Sequence, residues 1–149
     1  MNQHLIALAA ALTLGFAGTA FAADAMDQAA YKSAKDKIEE QAKADKKACE
    51  PLKANARDIC QAEAKGKEKV AKAELDAQNR PGAPADQKVK LMKSEAAYEL
   101  AKEKCEDQKG KAMAACKKDA KVAHDKVKAE VRAEARATAK TDVKKSGKS

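Results

Sequence analysis

Apolar positions along the chain fall into stripes with helical spacing. They recur at Tyr31, Ala34, Ile38, Ala42 and Cys49, and again at Ile59, Ala62, Gly66, Val70, Ala73 and Ala77. Steps of three and four keep such positions on one side of a helix, so both segments are predicted as amphipathic helices. A third helix is predicted near residues 86–109, carrying Val89, Met92, Ala96 and Leu100, with Tyr98 and Cys105 on a neighbouring line. The fourth runs from about residue 112 towards 140 through Cys116, Ala120, Ala123, Val127 and Val131. After it, KTDVKKSGKS has no apolar pattern and is expected to fray as a flexible basic tail. The stretch QNRPGAPADQ, residues 78–87, holds two of the three prolines and interrupts a helix. It divides the chain into a first helical hairpin at 23–80, a linker at 81–86 with Asp86 as a cap, and a second hairpin with its tail at 87–149.

The cysteines sharpen this division. Cys49, Cys60, Cys105 and Cys116 form two C-x10-C pairs offset by 56 residues. The same offset matches Glu50 with Glu106, Lys53 with Lys109, Ala56 with Ala112, and Lys72, Ala73 and Glu74 with Lys128, Ala129 and Glu130. The chain is therefore predicted to contain an internal duplication. On one straight helix, residues eleven apart stand about 16 Å from each other, too far for a disulfide. A turn between them brings the pair together across a hairpin. Pro51 disfavours continuing the first helix, Asn55 is a candidate N-cap with Asp58 at its N3 position, and Gly110 offers a helix C-terminus in the second copy. The proposed bonds are Cys49–Cys60 and Cys105–Cys116, out of the three connectivities that four cysteines allow. Metal or redox roles would want closer spacings such as C-x2-C; the sole histidine after the first 22 residues, His124, is expected to be a solvated helix residue.

Composition decides the class of protein. The first 22 residues contain no Asp, Glu, Lys or Arg, hold an apolar run from Leu5 to Phe16, and end in Ala20-Phe21-Ala22. This is the form of a cleaved export signal, which predicts a periplasmic mature chain beginning at Ala23 and lacking a transmembrane segment. Both Phe residues lie in that segment and Trp is absent, so Tyr31 and Tyr98 are the only aromatics after it. Large aliphatics are few and alanine dominates, so a conventional core is excluded, while Ala, Lys, Glu, Gln and Arg favour helix. The predicted fold is all-α: four long, largely solvated helices in two repeated hairpins, elongated and with little core. Glu39–Lys43, Glu63–Lys67 and Glu68–Lys72 are predicted as i,i+4 pairs. The net charge of +8 is concentrated late: residues 117–149 carry eleven Lys/Arg against five Asp/Glu. Lys117, Lys118, Lys121, Lys126, Lys128, Arg132, Arg136, Lys140, Lys144, Lys145 and Lys148 are therefore candidate contacts to an anionic surface.

The stretches AKDKIEEQAKADKKAC and EAKGKEKVAKAELDA resemble small exported Ala/Lys/Glu-rich helical proteins of proteobacteria with paired Cys, often labelled TolA-like. The resemblance covers most of the chain after the signal and implies a spacer role in the cell envelope. A cleaved signal in place of an anchor, with no compact C-terminal domain, argues against force transmission between membranes. EAKGKEKVAKAE also resembles the late-embryogenesis-abundant stress proteins, which implies protection during drying. The sequence thus predicts a non-enzymatic envelope protein with a structural or interaction role. Its partners would be anionic lipid or other envelope polyanions; the alternative is a stress protectant or holdase for unfolded clients. No cofactor is expected. Specific nucleic-acid readout is opposed by the export signal and by scarce Arg and aromatics. Enzyme activity is opposed by the lack of a phosphate loop or of a nucleophile with an orienting His.

Overall fold

The computed structural model describes residues 26–146; the predicted export signal, Ala23 and Lys148 lie outside that range. It contains four helices and no strand among the described residues: α1 (Gln28–Ala48), α2 (Ala54–Asn79), α3 (Ala83–Cys105) and α4 (Gly110–Ser146). The duplication is visible in the backbone. Shifted by 56 residues, the starts of α1 and α2 fall within one residue of those of α3 and α4. The turn also repeats: Ala54 has φ 48° and its equivalent Gly110 has φ 58°, both left-handed. Glycine adopts this region without cost and alanine does not.

Each helix packs only on its neighbours in sequence. Among the described residues α1 meets neither α3 nor α4, and α2 does not meet α4. The molecule is therefore an open layer one helix thick, not a closed bundle. Its inner helices bury two opposite lines of side chains. On α2 the stripe of Ile59, Ala62, Gly66, Val70, Ala73 and Ala77 turns towards α3, while Ala64, Glu68, Ala71 and Leu75 turn towards α1. On α3 the line through Met92, Ala96 and Leu100 faces α2, and the line through Tyr98 and Cys105 faces α4. Small residues set the spacing: a Cβ added at Gly66 would stand 2.9 Å from the Cβ of Ala96. Among the described residues, the buried ones are Ala42, Cys49, Ala64, Gly66, Ala73, Leu75, Cys105 and Val131, which include only two large aliphatics.

The ends of the layer are tied differently. At one end, Cys49–Cys60 and Cys105–Cys116 join the close of one helix to the second turn of the next. Asn55 links these two turns, its amide donating to the Glu103 carbonyl at 2.9 Å and to the Asp107 carboxylate at 2.7 Å. It is not the N-cap that its sequence position suggests; Lys53 occupies the cap without a side-chain bond. At the other end, the Asp76 carboxylate accepts from the Tyr31 hydroxyl and the Lys88 amine, both at 2.6 Å, bridging α1, α2 and α3.

The linker predicted at 81–86 is shorter, Arg80–Gly82, because Pro84 fits the first turn of α3, where no backbone N–H is needed. Asp86 consequently lies inside that turn, and Gly82 is the cap residue. α4 ends at Ser146.

Two substitutions should act in opposite directions. Ala54→Gly relieves the left-handed alanine and should raise unfolding stability by about 1 kcal/mol. Gly66→Leu forces α2 and α3 apart and should lower it by roughly 1–3 kcal/mol, with the disulfides intact. Denaturant titrations followed by circular dichroism measure both.

Candidate functional site

The four cysteines form the two proposed disulfides, with Cα atoms 5.6 and 5.7 Å apart. Cys49 and Cys105 are fully buried, so these bonds are part of the packing. The described residues contain no free cysteine and no group of three or more His, Cys, Asp and Glu side chains that could hold a metal ion.

His124 departs from its expected solvated state. It is half-buried between α3 and α4, its Nδ1 3.0 Å from the Ser94 hydroxyl and its ring stacked on Tyr98 at 5.1 Å. The Lys102 amine lies over the other part of that cluster, 5.2 Å from the Tyr98 centroid. With α3 directly beside it, the polar tip of His124 finds a partner and its ring covers apolar surface.

The candidate basic residues all sit on α4 apart from Lys148. Lys144 and Lys145 are described only as helix backbone. Lys117 donates to Glu106 across the preceding turn, and Lys121 pairs with Asp125 one helical turn on. Among the described residues, Lys118, Lys126, Lys128, Arg132, Arg136 and Lys140 make no ion pair. Helical phase places Lys117, Lys121, Lys128 and Arg132 on one flank of α4, with Lys118, Arg136 and Lys140 turned to its outer edge. Lys126 points to the opposite flank, beside Asp119 and Glu130, and does not join them.

That basic flank continues across the layer, which the sequence alone does not reveal. Lys102 and Lys88 on α3, Lys65, Lys69 and Lys72 on α2, and Lys43 and Lys46 on α1 lie on the same face. Acids are threaded among them. Glu68 accepts from Lys46 at 2.6 Å and Lys72 at 2.8 Å; Lys72 also reaches Glu39 at 3.1 Å, and Lys69 reaches Glu95 at 2.6 Å. Glu39 therefore pairs across the helix boundary and not with Lys43, whereas the Glu63–Lys67 and Glu68–Lys72 pairs form as expected. The Lys46 hydrogen bond, then that of Lys72, holds Glu68 below the usual carboxylate range. Lys88, followed by Tyr31, does the same for Asp76, and the Asp76 hydrogen bond raises the Tyr31 hydroxyl.

The opposite face is different. Grooves between successive helices are floored by small and aliphatic side chains: Ile38, Ala42 and Ala71 between α1 and α2, Val70, Ala96 and Leu100 between α2 and α3. The α3–α4 groove, about 660 Å³, is lined by Ala97, Ala101, Ala120, Ala123, Val127 and Val131. No described helix is long and apolar enough to cross a membrane. Compared with protein-family models, curated proteins and solved structures, the chain matches none.

Acid should loosen the inter-helix ties. Carboxylates with depressed folded-state values contribute stability above their unfolded pKa of about 4, and that contribution is lost as pH falls through the lower folded value. The unfolding midpoint should therefore drop between about pH 5 and pH 3, and Glu68→Gln should flatten that dependence. Urea titrations across this range measure the effect.

Proposed function

We propose that the protein is a non-enzymatic interaction protein of the periplasm that lays the basic face of its helical layer, led by α4, on anionic lipid or another envelope polyanion. The observation that carries this reading is the row of exposed cations without ion pairs among the described residues: Lys118, Arg132, Arg136 and Lys140, with half-buried Lys128 beside them. The cations on α1–α3 of that face are largely matched by acids, so α4 supplies the uncompensated field. Disulfide closure and the export-like first 22 residues support an oxidising compartment outside the cytoplasm. The TolA-like resemblance fits a spacer or adaptor in the envelope. Three apolar grooves on the opposite face favour a second reading, a holdase that shelters unfolded clients.

Vesicle binding separates the two. Juxtamembrane cations contribute about 1 kcal/mol each at an anionic surface, so K128E/R132E/R136E should weaken binding to phosphatidylserine-containing vesicles at low salt on the order of 100-fold or more. Helix content, checked by circular dichroism, should be retained because these side chains make no ion pair among the described residues. Unchanged vesicle binding would reject the basic-face reading; suppression of client aggregation by the same variant would support the holdase.

A further inference from the structure

The grooved face is broad, with small and aliphatic side chains on the floors of its grooves and paired charges between them. We propose that this face is the interface of a homodimer in which two helical layers stack face to face about a two-fold axis.

Shape is the first ground. In a row of antiparallel helices the grooves repeat at the helix spacing, about 8–10 Å, so the ridges of an identical layer match the grooves of this one. Three such grooves lie on one face. Stacking gives the half-buried Val70, Leu100 and Val127 a second layer and completes the two-layer architecture on which domains ordinarily rest.

Area is the second. α3 has 23 residues. That is roughly 35 Å of helix, and three grooves span about 27 Å, giving roughly 900 Å² per copy. A stable interface needs about 800 Å² per partner.

Charge is the third, and it selects the face. On the grooved side three lysines pair with acids of the same face, Lys67 with Glu63, Lys93 with Glu74 and Lys90 with Glu134. Lys37 and Lys126, which make no ion pair among the described residues, are offset by Asp45 and Glu130. Such a neutral, mixed surface tolerates its own copy, whereas the basic face would repel itself. The layer's edges are closed as well. Under the duplication, the positions by which α2 and α3 approach most closely, Gly66 and Ala96, become Val122 on the outside of α4 and Glu40 on the outside of α1. Neither permits the same close approach.

The dimer turns two basic faces outward, so its formation is independent of any anionic partner and is measured without one. Sedimentation equilibrium of the full oxidised chain should give twice the chain mass. Ala97 and Ala123 are exposed, on different helices, and line the groove. Ala97→Glu and Ala123→Glu should each raise the dimer dissociation constant at least about tenfold while leaving helix content unchanged. Lys128→Glu, on the other face, should leave it unaltered. A monomer at concentrations up to about 100 μM, or a dimer indifferent to both alanine variants, would overturn the proposal.

Discussion

At one end of the layer two cystines fix how α2 and α4 leave the helices before them, and the rest of the architecture depends on those closures. Each cross-links residues eleven apart in sequence. In the chain-entropy view a loop of this size contributes about 3 kcal/mol by restricting the unfolded chain. That matters here because, among the described residues, Leu75 and Val131 are the only large aliphatics that are well buried. The Asn55 bridge then holds the two closed turns side by side, and the four helices leave them in register.

From this constraint the open layer follows. Alanine and glycine allow close backbone approach but fill little volume, so a helix gains from a neighbour on each side without enclosing a centre. The inner helices carry two small-residue lines for that purpose. The outer ones do not: Ala62, Gly66 and Val70 of α2 correspond to Lys118, Val122 and Lys126 of α4, and Met92 and Ala96 of α3 to Asp36 and Glu40 of α1. The repeat surface is thus blocked at both edges, as terminal repeats require. What remains open is the pair of broad faces, one basic and laced with ion pairs, the other grooved and neutral.

Much of this was legible in the residues. Helical stripes, the duplicated cysteine pairs and the alanine-rich composition point to four helices in two hairpins, and the C-x10-C spacing points to the observed bonds. What escaped depends on which helices are neighbours. The stripe through Gly66 reads as one face of an amphipathic helix, yet it is the contact between the two copies, with a second line on the other side of α2. Asn55 has the sequence position of a cap, but its amide meets the next hairpin's turn; Pro84 looks like a helix breaker, but stands where a helix tolerates proline. His124 looks solvated until Ser94 and Tyr98 are placed beside it. Charge was the hardest to read: its excess lies in α4, but its arrangement into a face emerges only from the helical phases of four adjacent elements.

The layer's persistence is thus a property of the cystines. Thermal unfolding, followed by far-ultraviolet circular dichroism, of the oxidised chain and of the chain fully reduced and alkylated tests this most directly. Oxidised protein should unfold cooperatively, whereas the reduced chain, having lost about 6 kcal/mol across two closures, should show lower helicity and a broad, weakly cooperative melt at 25 °C and above. A reduced chain that retained the same helicity and the same cooperative midpoint would contradict the account, because the small-residue contacts alone would then be sufficient to hold the layer.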